Sequence, residues 1–147
     1  MYIVPFKEEH TDYVCHLMQQ RWKVSEEFAL NETKRYLINE NNCVCYIITI
    51  DNKPIGTGIF DIYNEIDETL SPWNSMLYIE PEYRGNDFGQ MLVQKRLEWA
   101  NEHDFKEVYL DTYNAKDYHL KFGWQIVKQI ETERGTSTIM KYKIKSK

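Results

Sequence analysis

Residues 80 to 90 read E-P-E-Y-R-G-N-D-F-G-Q, and their types suit the binding of an anion. Arg84 offers a forked cation, and Gly85 and Gly89 let a ligand or another backbone come close. A helical pattern starting at Phe88 would present free backbone N–H groups and the positive end of its dipole. On the turn alone, a plain connection is the commoner outcome. A second reactive group lies at 114–124, N-A-K-D-Y-H-L-K-F-G-W, where Tyr118 and His119 bring a phenol and an imidazole to one short helix. Glu80 is either a base or a solvated charge before proline, and Asp61, Glu65, Asp67 and Glu68 either attract a cationic amine or solvate a loop. Cys43 and Cys45 share a strand face and have no further ligand nearby, so with Cys15 they read as buried reduced thiols and no metal site is expected.

Several elements must position these groups. The run W-N-S-M-L-Y-I at 73–79 is a strand feeding the turn, and 88–100 is a helix with Phe88, Leu92 and Trp99 on one face and Val93, Leu97 and Ala100 on another, which fits packing on a sheet. Upstream, strands are expected at 2–6, 43–50 and 55–63, with Pro5 marking the first as an edge or a strand end. Thr11 or Asp12 is expected to cap a helix carrying Tyr13, Val14, Leu17 and Met18. Ser25 opens a second helix in which Phe28, Tyr36 and Leu37 share a face, broken at Asn39 to Asn42. Downstream come a strand at 107–112, a short helix at 115–121 and a closing hairpin, 124–130 with 137–144. The class is α+β (α/β by looser naming) with a largely antiparallel sheet. Trp22, Trp73 and Trp124 either line a cleft or, as large rings usually do, fill the core.

With 147 residues, no repeats and no internal linker, the chain is expected to form a single domain over 1–147. Apolar content of 42% and charged content of 28% fit a soluble globular protein. A net charge of −5 argues against a nucleic-acid partner, which needs a basic face. No run approaches the roughly 20 apolar residues of a membrane span. The acidic N-terminal stretch lacks the layout of a signal peptide, so a cytoplasmic protein is expected.

The stretch M-L-Y-I-E-P-E-Y-R-G-N-D-F-G-Q-M-L-V resembles the acetyl-CoA-binding motif of the GNAT superfamily of N-acetyltransferases: an apolar strand, a Pro-containing link, Gln/Arg-x-x-Gly-x-Gly/Ala and an apolar helix. L-S-P-W-N-S-M-L-Y-I before it, D-Y-H-L-K-F-G-W and R-G-T-S-T-I-M-K-Y are similar to further segments of small bacterial members, so the likeness covers most of the chain. It implies a mixed, mostly antiparallel sheet with helices on both faces. It also implies acetyl-CoA as acyl donor, with no metal. The backbone of Leu77, Tyr78 and Ile79 would pair with the pantetheine arm, and the turn formed by Arg84, Gly85, Asn86, Asp87, Phe88, Gly89 and Gln90 would hold the pyrophosphate. Asn114 stands near a family asparagine that touches the coenzyme, though closer to His119 than usual, and reads equally as a helix N-cap.

Two residues depart from the family pattern. Asp87 replaces the middle glycine, where Asp is among the better-tolerated residues at positive φ; it either caps the helix or competes with pyrophosphate. His119 falls where the family carries a tyrosine. Acetyl transfer needs a neutral amine, a stabilised oxyanion and a proton for the leaving thiolate. The resemblance assigns the carbonyl to a strand N–H, the proton to His119 in place of tyrosine, and amine deprotonation to Glu80 through water. Tyr118 would serve only if the helix were rotated, since its register points it at the core. The activity implied is transfer of acetyl to a primary amine of a small molecule or protein within a ternary complex, with a cationic acceptor and a homodimer among the options the resemblance leaves open. The alternative is a non-catalytic, CoA-binding or regulatory module of the same fold, which Asp87 and His119 favour.

Overall fold

The structure is a computed structural model that describes residues 1–38 and 43–145. The helix break expected at Asn39 to Asn42 lies outside the described residues. In chain order the elements are β1 (Tyr2–Pro5), α1 (Thr11–Trp22), α2 (Glu26–Ile38), β2 (Cys43–Ile50), β3 (Lys53–Asp61), β4 (Trp73–Ile79), α3 (Phe88–Glu102), β5 (Glu107–Thr112), α4 (Lys116–Lys121), β6 (Gln125–Thr132) and β7 (Gly135–Lys143). They build one sheet in the order β1-β2-β3-β4-β5-β7-β6, in which every neighbouring pair is antiparallel except β4 with β5.

The unbroken apolar run of β2 follows from burial on both sides. Val44, Tyr46 and Ile48 meet α3 through Leu92, Val93, Leu97 and Ala100. Cys43, Cys45 and Ile47 alternate to the other face, where α1 and α2 cover them with Val14, Met18, Ala29 and Tyr36. A strand buried on both faces has no place for polar residues, so the usual alternation disappears. Trp73 and Trp124 are core, as the ring size suggests.

Two local expectations differ from the structure. The cap of α1 is His10, which ends a short 3₁₀ turn; Thr11 and Asp12 already sit inside the helix. On α2 the buried residues are Ala29, Thr33 and Tyr36, while Phe28 (45% exposed) and Leu37 (42%) point outward. Small Ala29 permits close approach to α1, and Tyr36 packs edge-on against Phe6 with centroids 5.8 Å apart. Contact geometry therefore outweighs the apolar character of Phe28. Ser25 does cap this helix, its Oγ accepting from the Phe28 N–H at 3.1 Å.

The strands that matter most for function are β4 and β5. They share one register pair, Trp73 with Tyr109, and then part. A bulge in β4 drives the divergence: Met76 and Leu77 face Gly58 alone, and Met76 takes a left-handed φ of 50°. Bulges bend and twist the strand that carries them. Beyond it, residues 77–79 keep β3 on one edge and leave the other edge open. No helix among the described residues is long and apolar enough to cross a membrane.

Candidate active site

The opening beside β4 continues into a cavity of about 420 Å³. Leu77, Tyr78 and Ile79 form one wall, the turn at Arg84, Gly85 and Asp87 another, and Tyr118 of α4 closes it across from Gly89. This one space collects the strand, the turn and the helix start that were singled out in the sequence.

The turn is held from inside. The Arg84 Nε donates to the Ile79 carbonyl at 2.8 Å, and its guanidinium stands 5.4 Å from the Tyr78 ring centroid. The Asn86 side chain donates to the Tyr83 carbonyl at 3.2 Å. Gly85 has φ +84° with nothing near a notional Cβ, so conformation and not room demands glycine there. At Gly89 a Cβ would reach Leu77 at 3.9 Å, an ordinary contact, so that glycine is not required for packing.

Asp87 is the N-cap of α3 in the left-handed conformation, φ 63° and ψ 13°, and makes no side-chain cap bond. The turn geometry thus accommodates the aspartate, while the capping role considered for its carboxylate is not realised. Phe88 and Gly89 at the start of α3 line the cavity, and the Asp87 side chain makes no cap bond there.

The short helix reverses one expectation. His119 is the buried member of the pair at 9% exposure, edge-on to Trp124 at 6.0 Å, whereas Tyr118 is 44% exposed and lines the cavity. The Tyr118 hydroxyl accepts from Gln90 Nε2 at 2.9 Å, which ties α4 to the first turn of α3. Residues one apart on a helix point roughly 100° apart, so seating His119 against Trp124 turns Tyr118 outward. Burial first, and the Arg96 charge second, lower the His119 pKa below its ordinary 6.5, so its ring is neutral at pH 7. Its Nδ1 is buried with no hydrogen-bond partner.

Asn114 is exposed in the bend before α4 and is not among the cavity residues. The N-cap of α4 is Ala115, which lacks a side-chain cap bond and donates its N–H to Thr112 Oγ at 3.0 Å, so Asn114 is not the cap of this helix.

Glu80 sits where β4 ends. Its Oε1 accepts from the Tyr13 hydroxyl at 2.9 Å and its Oε2 from the Tyr78 hydroxyl at 3.4 Å. Burial and the Glu80 hydrogen bond both push the Tyr13 phenol well above its usual pKa, so Tyr13 stays a donor and holds the carboxylate in place. Glu80 does not line the cavity that holds Tyr118; it borders a neighbouring recess with Glu9, Lys53 and Glu82. Of the loop carboxylates, Asp61 pairs with Arg35 at 2.6 Å, Asp67 with Lys128 at 2.5 Å, and Glu68 accepts from Tyr63 at 2.9 Å. These three are engaged within the loop and its neighbours.

Sequence reading missed Arg21, which reaches the cavity from the end of α1 with its guanidinium 5.7 Å from the Tyr78 ring centroid. Only its place near the end of an amphipathic helix hints at such a role.

A family model described as the acetyltransferase (GNAT) family matches residues 10–124. The chain belongs to this GNAT acetyltransferase family. It is accordingly an acetyl-CoA-dependent N-acetyltransferase, and the seven-stranded sheet with helices on both faces is the GNAT fold. Solved structures agree in fold. An aminoglycoside 6'-N-acetyltransferase complexed with coenzyme A superposes with a TM-score of 0.82 at 15% identity, over 100% of this chain and 99% of the other. The aminoglycoside 6'-N-acetyltransferase from Enterococcus faecium gives 0.79 at 14% identity, over 100% and 99%. Ribosomal-protein-alanine N-acetyltransferase from Brucella melitensis gives 0.79 at 13% identity, over 97% and 99%. No curated protein matches by sequence. In this GNAT chain the open edge at residues 77–79 and the turn that carries Arg84, Gly85 and Asp87 border one cavity.

Proposed function

We propose that this acetyltransferase transfers acetyl from acetyl-CoA to a primary amine of a small molecule or protein, directly, within a ternary complex. The observation that carries the reading is that one cavity joins the open edge of β4, the turn at 84–90 and the Tyr118 hydroxyl. The pantetheine arm lies along Leu77 to Ile79, and the pyrophosphate rests on the N–H groups between Arg84 and Gln90, with Arg84 supplying charge. The thioester then meets β4 at its bulge, where backbone N–H groups polarise the carbonyl.

The amine attacks the thioester carbonyl carbon, and the tetrahedral intermediate collapses by breaking the C–S bond. Tyr118 donates its phenolic proton to the departing CoA thiolate; its place in the cavity and its bond from Gln90 favour it over buried, neutral His119. Glu80, fixed by Tyr13 and Tyr78, takes the proton from the ammonium acceptor directly or through water. Carboxylates at Glu9, Glu80 and Glu82 with the net charge of −5 suit a cationic acceptor. The structural neighbours include enzymes for aminoglycosides and for a protein alanine, which keeps both small and protein amines in the class. The two departures that spoke for a non-catalytic module lose their weight here, because Asp87 fits the left-handed turn and Tyr118 occupies the acid position. A single domain acting in the cytoplasm, where acetyl-CoA is made, fits this reading.

The test is CoA-thiol release from acetyl-CoA with aminoglycosides, polyamines and alanine-terminated peptides. Amine-dependent release with at least one class is expected. Release no faster than hydrolysis with all of them, together with no calorimetric binding of CoA at millimolar concentration, would sink the reading.

A further inference from the structure

Arg96 lies midway along α3, on the side facing the sheet, at 1% exposure. A buried guanidinium normally faces a carboxylate. Here the partners are main-chain carbonyls: Nη1 donates to Ile59 at 2.8 Å and to Ser75 at 3.0 Å. Ile59 and Ser75 are the register pair that borders the bulge of β3 and β4. A bulge interrupts the ladder, and carbonyls next to it need a donor from elsewhere when buried. Arg96 supplies it to both strands at once.

The neighbouring residue makes room. Gly58 stands opposite Met76 and Leu77, and a Cβ there would lie 3.3 Å from the Arg96 Cζ and 3.4 Å from its Nε and Nη1. A side chain there would make the guanidinium give by a few tenths of an ångström. Burial lowers the Arg96 pKa to about 9, so it remains charged at neutral pH. Arg96 does not line the cavity, and its effect on chemistry must pass through the strand.

We propose that Arg96, seated over Gly58, is a positioning residue for acetyl transfer: by bridging Ile59 and Ser75 it holds the bulge at Met76–Leu77 in the shape that presents β4 backbone to the thioester. This rests on the reading above that the thioester lies at that bulge. The coenzyme's phosphates are held elsewhere, on the turn at 84–90, so the clamp governs the reacting carbonyl and not coenzyme affinity. A sub-ångström error there is enough to slow the chemical step.

The experiment compares kcat, acetyl-CoA KM and calorimetric CoA affinity in Gly58→Ala, Arg96→Lys and Arg96→Met. Gly58→Ala keeps the charge but shifts the guanidinium by a few tenths of an ångström against its carbonyls; kcat is expected to fall about 10-fold, with CoA affinity within about 3-fold of wild type. Arg96→Met is expected to lose about 100-fold in kcat, and Arg96→Lys to recover part of that. Wild-type kcat in Gly58→Ala, or kcat and CoA affinity falling in parallel, would overturn the proposal. If Arg96→Met does not fold, Gly58→Ala and Arg96→Lys decide by the same criterion. Failure of the underlying reading looks different: wild type itself releases no thiol, or its CoA affinity is indifferent to Arg84→Ala.

Discussion

Arg84 and Arg96 both donate to carbonyls of β4, yet from opposite environments. Arg84 sits in an exposed turn and reaches Ile79, five positions away, at 2.8 Å. Arg96 comes from inside α3 and reaches Ser75, 21 positions away, at 3.0 Å. At the turn, water already solvates the charge, so the guanidinium is available to a ligand and little stability depends on it. In the interior the charge has lost its water, and its bonds reach from α3 to a carbonyl of each strand at the bulge, so the same kind of bond becomes structural. One strand is thus gripped by an exposed contact at its end and by a buried one at its middle.

The sharpest way to break this comparison is Arg96→Ala. It leaves a cavity and removes the Arg96 donor from the Ile59 and Ser75 carbonyls, and should lower unfolding free energy by about 3 kcal/mol in urea titrations. Arg84→Ala should change stability by less than about 1 kcal/mol. Equal stability losses would refute the contrast. The second test uses Tyr118, which stands on the cavity side of the same divide. Tyr118→Phe should reduce kcat about 100-fold with acetyl-CoA KM little changed, read by thiol release.

Arg84→Ala comes next for binding. It should weaken CoA about 10-fold by calorimetry, and the loss should shrink as salt rises, because the contact is exposed. Asp87→Gly is smaller. It relieves a left-handed non-glycine residue and removes a carboxylate beside the phosphates, so CoA should bind about 3-fold tighter with stability unchanged or up by about 1 kcal/mol.

His119 gives the smallest effect on turnover and a distinct pH signature. Its folded pKa is lowered, chiefly by burial, so the unfolded chain takes up a proton first as pH falls. The stability it contributes is therefore complete above pH 6.5 and declines below that value toward the folded pKa. His119→Gln should flatten the loss of Tm between about pH 7 and pH 5, leaving the part due to His10, which burial also lowers. Its kcat should stay within about 3-fold of wild type; a 100-fold loss would restore His119 as the acid.

The differences between sequence and structure fall along the same divide. The strand at 73–79, the turn at Arg84 to Gly89 and the helix after it are local, and spacing alone makes them legible. Which side of α4 faces inward was not legible. A helix of six residues, Lys116–Lys121, has too few positions to show a period, and its orientation depends on Trp124, which belongs to the next segment. The same holds for α2, where Ala29 is buried because α1 comes close, and Phe28 is left outside. Arg96 was invisible because nothing along α3 announces that a bulge, made by residues 20 and more positions upstream, will present two carbonyls to it.

By itself the sequence determined the order of strands and helices, the anion-suited turn with Arg84 and Gly85, and membership of a fold that uses acetyl-CoA. The element order and the turn depend on periodicity, on backbone freedom and on dipoles at a helix start, all short-range properties, and the membership on the resemblance of the motifs at 73–90 and 117–124. Only the tertiary structure decided that Tyr118 and not His119 looks into the cavity, that Asp87 makes no side-chain cap bond, and that Arg96 grips β4 at its bulge. Each of those outcomes is set by what a side chain meets across the fold, and burial converts such meetings into energies that local sequence does not contain.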